Sequence, residues 1–208
     1  MQEADIAHEI LQEAAERPAG HLRVSMPVEF GLISVAPIID EFARHYPEIT
    51  IDAELSPRPA NFADENVDVS IRLGKVRDPS LIARRLGNAA RLLYASPAYL
   101  ARRGVPNHPA GAAGHLASDF GESSVDVDVR SRLSTNNVSM TLRFIEQGYG
   151  IAPLAPSIAR PAFDTGMVRR VLDDWSFPPM LVHAVMTSRL VPARVRAFVD
   201  FLASRLVM

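Results

Sequence analysis

A chain without cysteine has to build any catalytic or metal centre from histidine, serine, carboxylates and glycine-rich loops. Its six histidines, at 8, 21, 45, 108, 115 and 183, include no pair four residues apart and no HExxH string. That is the spacing that sets two imidazoles around zinc on one helix face. His183 lies in the apolar run MLVHAVM and reads as a core residue with its ring nitrogens satisfied. Ser123, Ser124 and Ser157 lack the GxSxG turn that would lift a hydroxyl into reach as a nucleophile. GYG at 148–150 is too short to cradle a phosphate, and neither GxGxxG nor GxxxxGKS/T occurs. No catalytic residue, metal or cofactor is therefore expected.

Residues suited to holding a small molecule are more evident. Pro27, Val28, Glu29 and Phe30 follow an apolar run and open a helical one, and Asn136 and Asn137 open another. The free backbone N–H groups of a helix's first turn carry partial positive charge, worth about 0.3–1 kcal/mol to a nearby anion. A small carboxylate is the natural guest of such ends. Asparagine there is equally suited to cap the helix with its own side chain. Ser25 and Ser96 stand at strand ends, where a hydroxyl either meets a ligand or faces solvent in a turn. Arg72, in SIRLG before Gly74, offers a planar fork to a carboxylate, or pairs with Asp68, Asp64 or Glu29. Arg58 shares that ambiguity. Glu29 would oppose an anion unless an arginine neutralises it, which leaves neutral, cationic or amine-bearing guests open.

The elements that position these residues follow from periodicity. Residues 4–16 place Ile6, Ala7, Ile10, Leu11 and Ala14 on one helical stripe, stopped by Pro18 and Gly20. A strand is expected over 21–26, then a turn at Pro27 and Gly31. A helix follows over 32–46 with Leu32, Val35, Ile38, Ile39, Phe42 and Tyr46 inward. ITIDAEL (49–55) alternates as a half-buried strand does, and 67–73 forms another. This strand and helix order is that of a parallel sheet with crossover helices. LIARRL and ARLLYAS, within 81–95, are expected to pair or run on as strand, and PAYLARRG to be helical. Residues 104–128 show weak periodicity, and order resumes at VRSRLST (129–135). Beyond lie a helix over 137–147, a strand GIAPL with Pro153 and Leu154, a helix over 156–163, strands over 167–172 and 180–186, and a last helix after Pro192.

Composition bounds the class. With 208 residues, 48% hydrophobic and 22% charged, the chain has the balance of a globular protein with a real core. A net charge of −2 shows no nucleic-acid footprint. No run reaches the roughly 20 apolar residues needed to cross a bilayer, and the start has no signal-peptide core. A cytoplasmic chain with no membrane partner is expected.

The strings HLRVSMPVEFGLISVAPIIDEFARHYPEITIDAEL, VDVSIRLGKVRDPSLIARRLG, LYASPAYLARRG, GYGIAPLAP and VPARVRAFVDFL, in this order, resemble the effector-binding domain of LysR-type transcriptional regulators. They cover 21–104 and 129–205. The resemblance implies an α/β fold like a type II periplasmic binding protein. Two lobes, each a mostly parallel sheet flanked by helices, would be joined by two crossover hinges, with a small-molecule effector in the cleft between them. Mapped here, 1–20 would be the end of a linker helix, 21–95 plus 179–208 lobe I, and 98–174 lobe II, with hinges near Ser96 and Trp175. Ligand-contact positions implied are Ser25, Pro27, Val28, Glu29, Phe30, Arg72, Gly74, Ser96, Asn136, Asn137, Pro153 and Leu154. Many relatives have a small hydroxyl residue where Glu29 stands, and one proline where Pro153 and Pro156 flank the lobe II wall; residues 112–128 are shorter and more polar than usual. The family also implies a homodimer through the helices 32–46 and 138–147, a tetramer in the full-length regulator, and DNA contact only through a winged helix-turn-helix absent from this chain. A transporter's solute-binding protein, or a small phosphoribosyltransferase-like enzyme on the same scaffold, is the alternative. The first would carry an export signal, and the second a Gly/Thr-rich phosphate loop where this chain has STNNVSMT.

Overall fold

The computed structural model describes residues 17–58, 62, 66–108, 133–175 and 179–206. Along them run β1 (Gly20–Met26), α1 (Val28–Phe30), a π-helical segment (Gly31–Val35), α2 (Ala36–His45), β2 (Ile49–Leu55), β3 (Val69–Leu73), β4 (Ile82–Ala89), β5 (Leu92–Ala95), α3 (Pro97–Arg103), α4 (Val138–Glu146), β6 (Ile151–Leu154), α5 (Pro156–Asp164), β7 (Arg169–Val171), β8 (Met180–Met186) and α6 (Ala193–Arg205). The chain divides into two compact units, Met1–Gly87 with Leu181–Val207, and Asn88–Met180 with Met208. The expected helix over 4–16 lies outside the described residues, as does most of 104–128 and the start of VRSRLST. Its visible end, 133–135, is neither helix nor strand.

In the first unit the strand order is β2-β1-β3-β8-β4. β1 pairs in parallel with both β2 and β3, so the α1 to α2 run is the crossover that parallel pairing requires. β8 pairs antiparallel to β3, because it carries the returning chain back from the second unit. The sheet is thus mixed, with β1 parallel to β2 and β3 and β8 antiparallel to β3. Leu22, Val24 and Met26 of β1 and Val69 and Ile71 of β3 are buried, as are Phe42 of α2 and Phe198 and Leu202 of α6. Phe42 meets Phe198 edge to face at 5.2 Å and Phe201 at 5.4 Å, which fastens α6 to α2.

The helix after β1 begins earlier than periodicity suggests. Gly31, expected in a turn, is inside it, and the N–H of Ala36 donates to Gly31 O, one residue beyond the α-helical partner. Pro37 supplies the cause. It has no N–H for Ile33 O and its ring crowds that carbonyl, so the ladder widens just ahead of it. Gly31 stays on the buried stripe, and the extra residue turns Leu32 off it. Val35, Ile38 and Phe42 are buried, whereas Leu32, expected beside them, is 59% exposed.

The second unit holds a three-stranded sheet, β6-β5-β7. β5 runs antiparallel to both neighbours. β6 and β7 point the same way, linked through α5 across β5, so the parallel relation survives only between strands that do not touch. Tyr94, Ala152 and Leu154 face Ile145 of α4 and Ala159 and Ala162 of α5. On the opposite face Ala95, Ile151 and Val171 pack with Tyr99 of α3. Helices therefore cover both faces. The apolar runs within 81–95 neither pair nor run on. Ala90 and Arg91 separate β4, an edge of the five-stranded sheet, from β5, the centre of the other, and β5 is part of the second unit although it was expected to close the first.

Candidate functional site

In the first unit the expected contact residues gather at the carboxyl ends of β1 and β3, where ligands settle in α/β sheets. Ser25 is 2% exposed and Ser70, its registered partner on β3, equally buried. Pro27 holds the extended conformation that ends the strand (φ −61°, ψ 140°), and its carbonyl accepts from Gly31 N at 2.8 Å. Val28, Glu29 and Phe30 are half-buried on the first helical turn. Gly74 closes β3 at φ +90°, its N–H donating to Leu181 O at 2.8 Å, a conformation that favours glycine.

Arg72 is half-buried, with its guanidinium carbon 5.5 Å from the centre of the Phe62 ring. Burial pushes this guanidinium below its ordinary pKa, and the charge of Asp78 works against that shift. The Ser80 hydroxyl and backbone N–H donate to Asp78 Oδ1 at 2.6 and 2.9 Å and hold its carboxyl below the usual range. Asp68, one of the ion-pair partners expected for Arg72, is used otherwise. It accepts from Arg23 N at 2.9 Å and from Arg194 Nη2 at 3.3 Å, tying β1 and α6 to the start of β3. Asp64 lies outside the described residues, and Arg58 is exposed in the turn after β2, its N–H donating to Ser56 Oγ at 3.2 Å.

The apolar run around His183 predicts a core residue with its ring nitrogens satisfied. The register places it opposite Arg72, on the same face of the sheet as Arg72, Ser25 and Ser70. Its ring is half-buried, and no group among the described residues hydrogen-bonds its buried Nδ1. The pairing of β3 with β8 joins positions more than 100 residues apart, so no local signal announced it.

In the second unit Ser96 is 1% exposed and caps α3, its Oγ accepting from Tyr99 N at 3.3 Å. Gly148, at φ +80°, lies beside that Oγ, where a Cβ would be in ordinary contact at 3.5 Å, and the Gly148 carbonyl accepts from Arg102 Nη2 at 2.6 Å. The GYG string thus packs the α3 N-terminus. Asn137 caps α4, its Oδ1 accepting from Met140 N at 2.8 Å and its N–H donating to Thr135 Oγ1 at 3.1 Å. Asn136 is exposed beside it. Pro153 occupies β6, an edge strand that tolerates a missing N–H, and Leu154 is 2% exposed within the core. Arg91, just before β5, was not anticipated. It is 8% exposed, and burial lowers its guanidinium pKa.

Among the described residues no group of three His, Cys, Asp or Glu side chains could hold a metal ion, and no helix is long and apolar enough to cross a membrane.

The described residues thus place hydroxyls and a cation near the ends of β1 and β3 and cap the starts of α3 and α4 with side chains of the chain itself. The family described as the LysR substrate binding domain matches residues 15–207, and the chain belongs to it. It is 33% identical to an HTH-type transcriptional regulator of Xanthomonas campestris pv. campestris, over 99% of this chain and 64% of that protein. It is 30% identical to the HTH-type transcriptional regulator DmlR of Escherichia coli, over 92% of this chain and 67% of that protein. The chain thus spans about two thirds of these curated relatives. Among solved structures it is similar to the full-length Vibrio cholerae virulence activator AphB, with a TM-score of 0.75 and 25% identity over 99% of this chain and 76% of that one. The regulatory domain of CrgA from Neisseria meningitidis shares the fold, with a TM-score of 0.75 and 24% identity over 91% of this chain and 100% of that one.

Proposed function

We propose that this chain is the effector-sensing domain of a LysR-type transcriptional regulator, that its effector is a small organic or aromatic acid, and that it performs no catalysis. The family match over 15–207 carries the reading. Support for an acid comes from Arg72, a half-buried cation near the end of β3, with the buried hydroxyls of Ser25 and Ser70 alongside. Effector contacts are proposed at Ser25, Pro27, Val28, Glu29, Phe30, Arg72 and Gly74 in the first unit, and at Ser96, Asn136, Asn137 and Pro153 in the second. Leu154 acts from the core, as backing for the contacts of the second unit. Two copies associate through α2 and α4, and DNA is contacted by another part of the regulator.

A ligand that binds only the folded state raises its stability by about 2.7 kcal/mol at a hundred times Kd. A thermal-shift screen against acids, amines and neutral metabolites therefore tests the reading directly. At least one acid raises Tm, and Val28→Trp, which fills the end of β1, abolishes the rise. A library without a single stabilising compound would sink the proposal. Sedimentation at micromolar concentration tests the dimer, and a strict monomer removes it.

A further inference from the structure

After β7 the chain enters a turn that one buried residue holds in an unfavourable backbone conformation. β7 ends at Val171, and Leu172, the next residue, is 8% exposed with φ +58°. Among the described residues the only other non-glycine residue with positive φ is Asn66. Asparagine tolerates the left-handed region because its short amide bonds the local backbone, whereas the Cβ of leucine crowds the following carbonyl oxygen there. Strain of this kind persists only where the surroundings over-determine it, and it gathers at switches and clamps.

Three contacts among the described residues restrain the turn. The Trp175 N–H donates to Leu172 O at 2.9 Å and closes it. Arg170 of β7 grips it from outside, with Nε 2.8 Å from Asp173 Oδ1 and Nη2 donating to the Asp173 carbonyl at 3.0 Å. The Trp175 ring meets the His108 ring edge to face, with ring centres 4.8 Å apart. These restraints lie at the surface, since Trp175 is 38% exposed and the Asp173 side chain 69%. A strained residue held by exposed contacts has a second state close by in free energy, reached when Leu172 rotates to negative φ and the Trp175 bond opens. The rotation re-aims the chain at the point from which it runs on to β8 and the first unit.

We propose that residues 172–175 form a two-state catch on the chain's return from the second unit, closed with Leu172 left-handed and released with Leu172 at negative φ. The catch goes beyond the effector-sensing reading and does not depend on it.

Native-state hydrogen exchange of the whole chain, read amide by amide by NMR, tests it. In the parent the Trp175 amide exchanges through a local opening, at least about tenfold faster than the slowest amides of the central strand β5. Its rate is unchanged in dilute urea, because the opening exposes little surface. Leu172→Ala and Leu172→Gly both remove the buried side chain and differ only in the Cβ. At negative φ alanine holds a turn better than glycine, having less freedom to lose, and at positive φ the order reverses. The Trp175 amide is therefore about tenfold better protected in Leu172→Gly than in Leu172→Ala. Fluorescence gives a second readout, because Trp175 is the sole tryptophan of the chain. Leu172→Ile keeps the side-chain volume and adds a β-branch that the left-handed region rejects, so its emission shifts to the red while the far-UV circular dichroism stays that of the parent. The inference is overturned if the parent's Trp175 amide exchanges only with the global unfolding that frees β5, if Leu172→Ala protects that amide as well as Leu172→Gly, or if the emission of Leu172→Ile matches the parent's.

Discussion

Arg205 at the end of α6 grips Glu41 of α2 from two sides, Nη2 lying 2.8 Å from Oε1 and Nε 3.2 Å from Oε2. Residues 164 positions apart thus close the helical layer of the first unit. The hydrogen bond from Arg205 is the largest of the causes that lower the Glu41 pKa, with the charges of Arg205, His45 and Arg44 adding to it. A carboxyl whose pKa is lower in the folded than in the unfolded chain binds more protons when unfolded. Its stabilising contribution is present above the ordinary glutamate pKa and lost as pH falls through the folded one. Thermal unfolding followed from neutral to acid pH should show a smaller loss of Tm in Glu41→Gln than in the parent. The effect is small, since the pair is partly exposed. Parallel Tm profiles for the two proteins would show that the pair does not contribute.

Phe42 makes a second prediction for the same junction. It is fully buried and meets Tyr46, Phe198 and Phe201 with ring centres 4.6 to 5.4 Å away. Truncation to alanine removes the ring and leaves a cavity that neighbours on two helices cannot fill, at a cost of about 3–5 kcal/mol. Urea unfolding of Phe42→Ala measures this, and a loss below about 1 kcal/mol would mean that α6 is not held through this contact.

Much of this was legible in the sequence because local patterns dictated it. ITIDAEL and MLVHAVM alternate or run apolar over the very residues that form β2 and β8, and Pro192 marks the start of α6 just as a helix N-terminus favours proline. What escaped depends on partners distant in the chain. Nothing in LLYA announces that its neighbours on both sides run against it, since strand direction is set by the connections rather than by side chains. Leu32 was misjudged because one inserted residue before Pro37 shifts the helical phase, a displacement of backbone that the apolar spacing alone conceals. For the candidate site, Asn137 could be read as a helix start, whereas Ser96, read as a strand end, caps α3 as well. The facing of Arg72 and His183 required the register of a strand from the far end of the chain.

Gly31 is the residue on which that phase shift closes. A Cβ there would stand 2.5 Å from Leu55 Cδ2 and 2.9 Å from Met26 Cγ and Sδ. Leu55 is partly exposed and can swing aside, whereas Met26 is 2% exposed and confined. The gain in helix propensity from Gly31→Ala, about 1 kcal/mol, is therefore outweighed by overpacking of about 1–3 kcal/mol. Chemical denaturation should find the variant less stable than the parent, with Leu55→Ala in the same chain recovering only part of the loss. A variant as stable as the parent would show that Met26 has room to move.

Asn137 and Asn136 separate capping from ligand contact. Only Asn137 accepts from the first-turn N–H of Met140, so Asn137→Ala should cost about 1 kcal/mol, while Asn136→Ala, at an exposed position, changes stability by less than about 0.5 kcal/mol. Asn137→Asp sharpens the distinction. Aspartate caps as well as asparagine and its charge suits the helix N-terminus, so unfolding measurements should find stability retained. The same charge repels an acid placed near the start of α4, so titration with a stabilising acid from the thermal-shift screen should find its affinity lowered. Unchanged affinity in Asn137→Asp would confine Asn137 to the cap and move the effector away from α4.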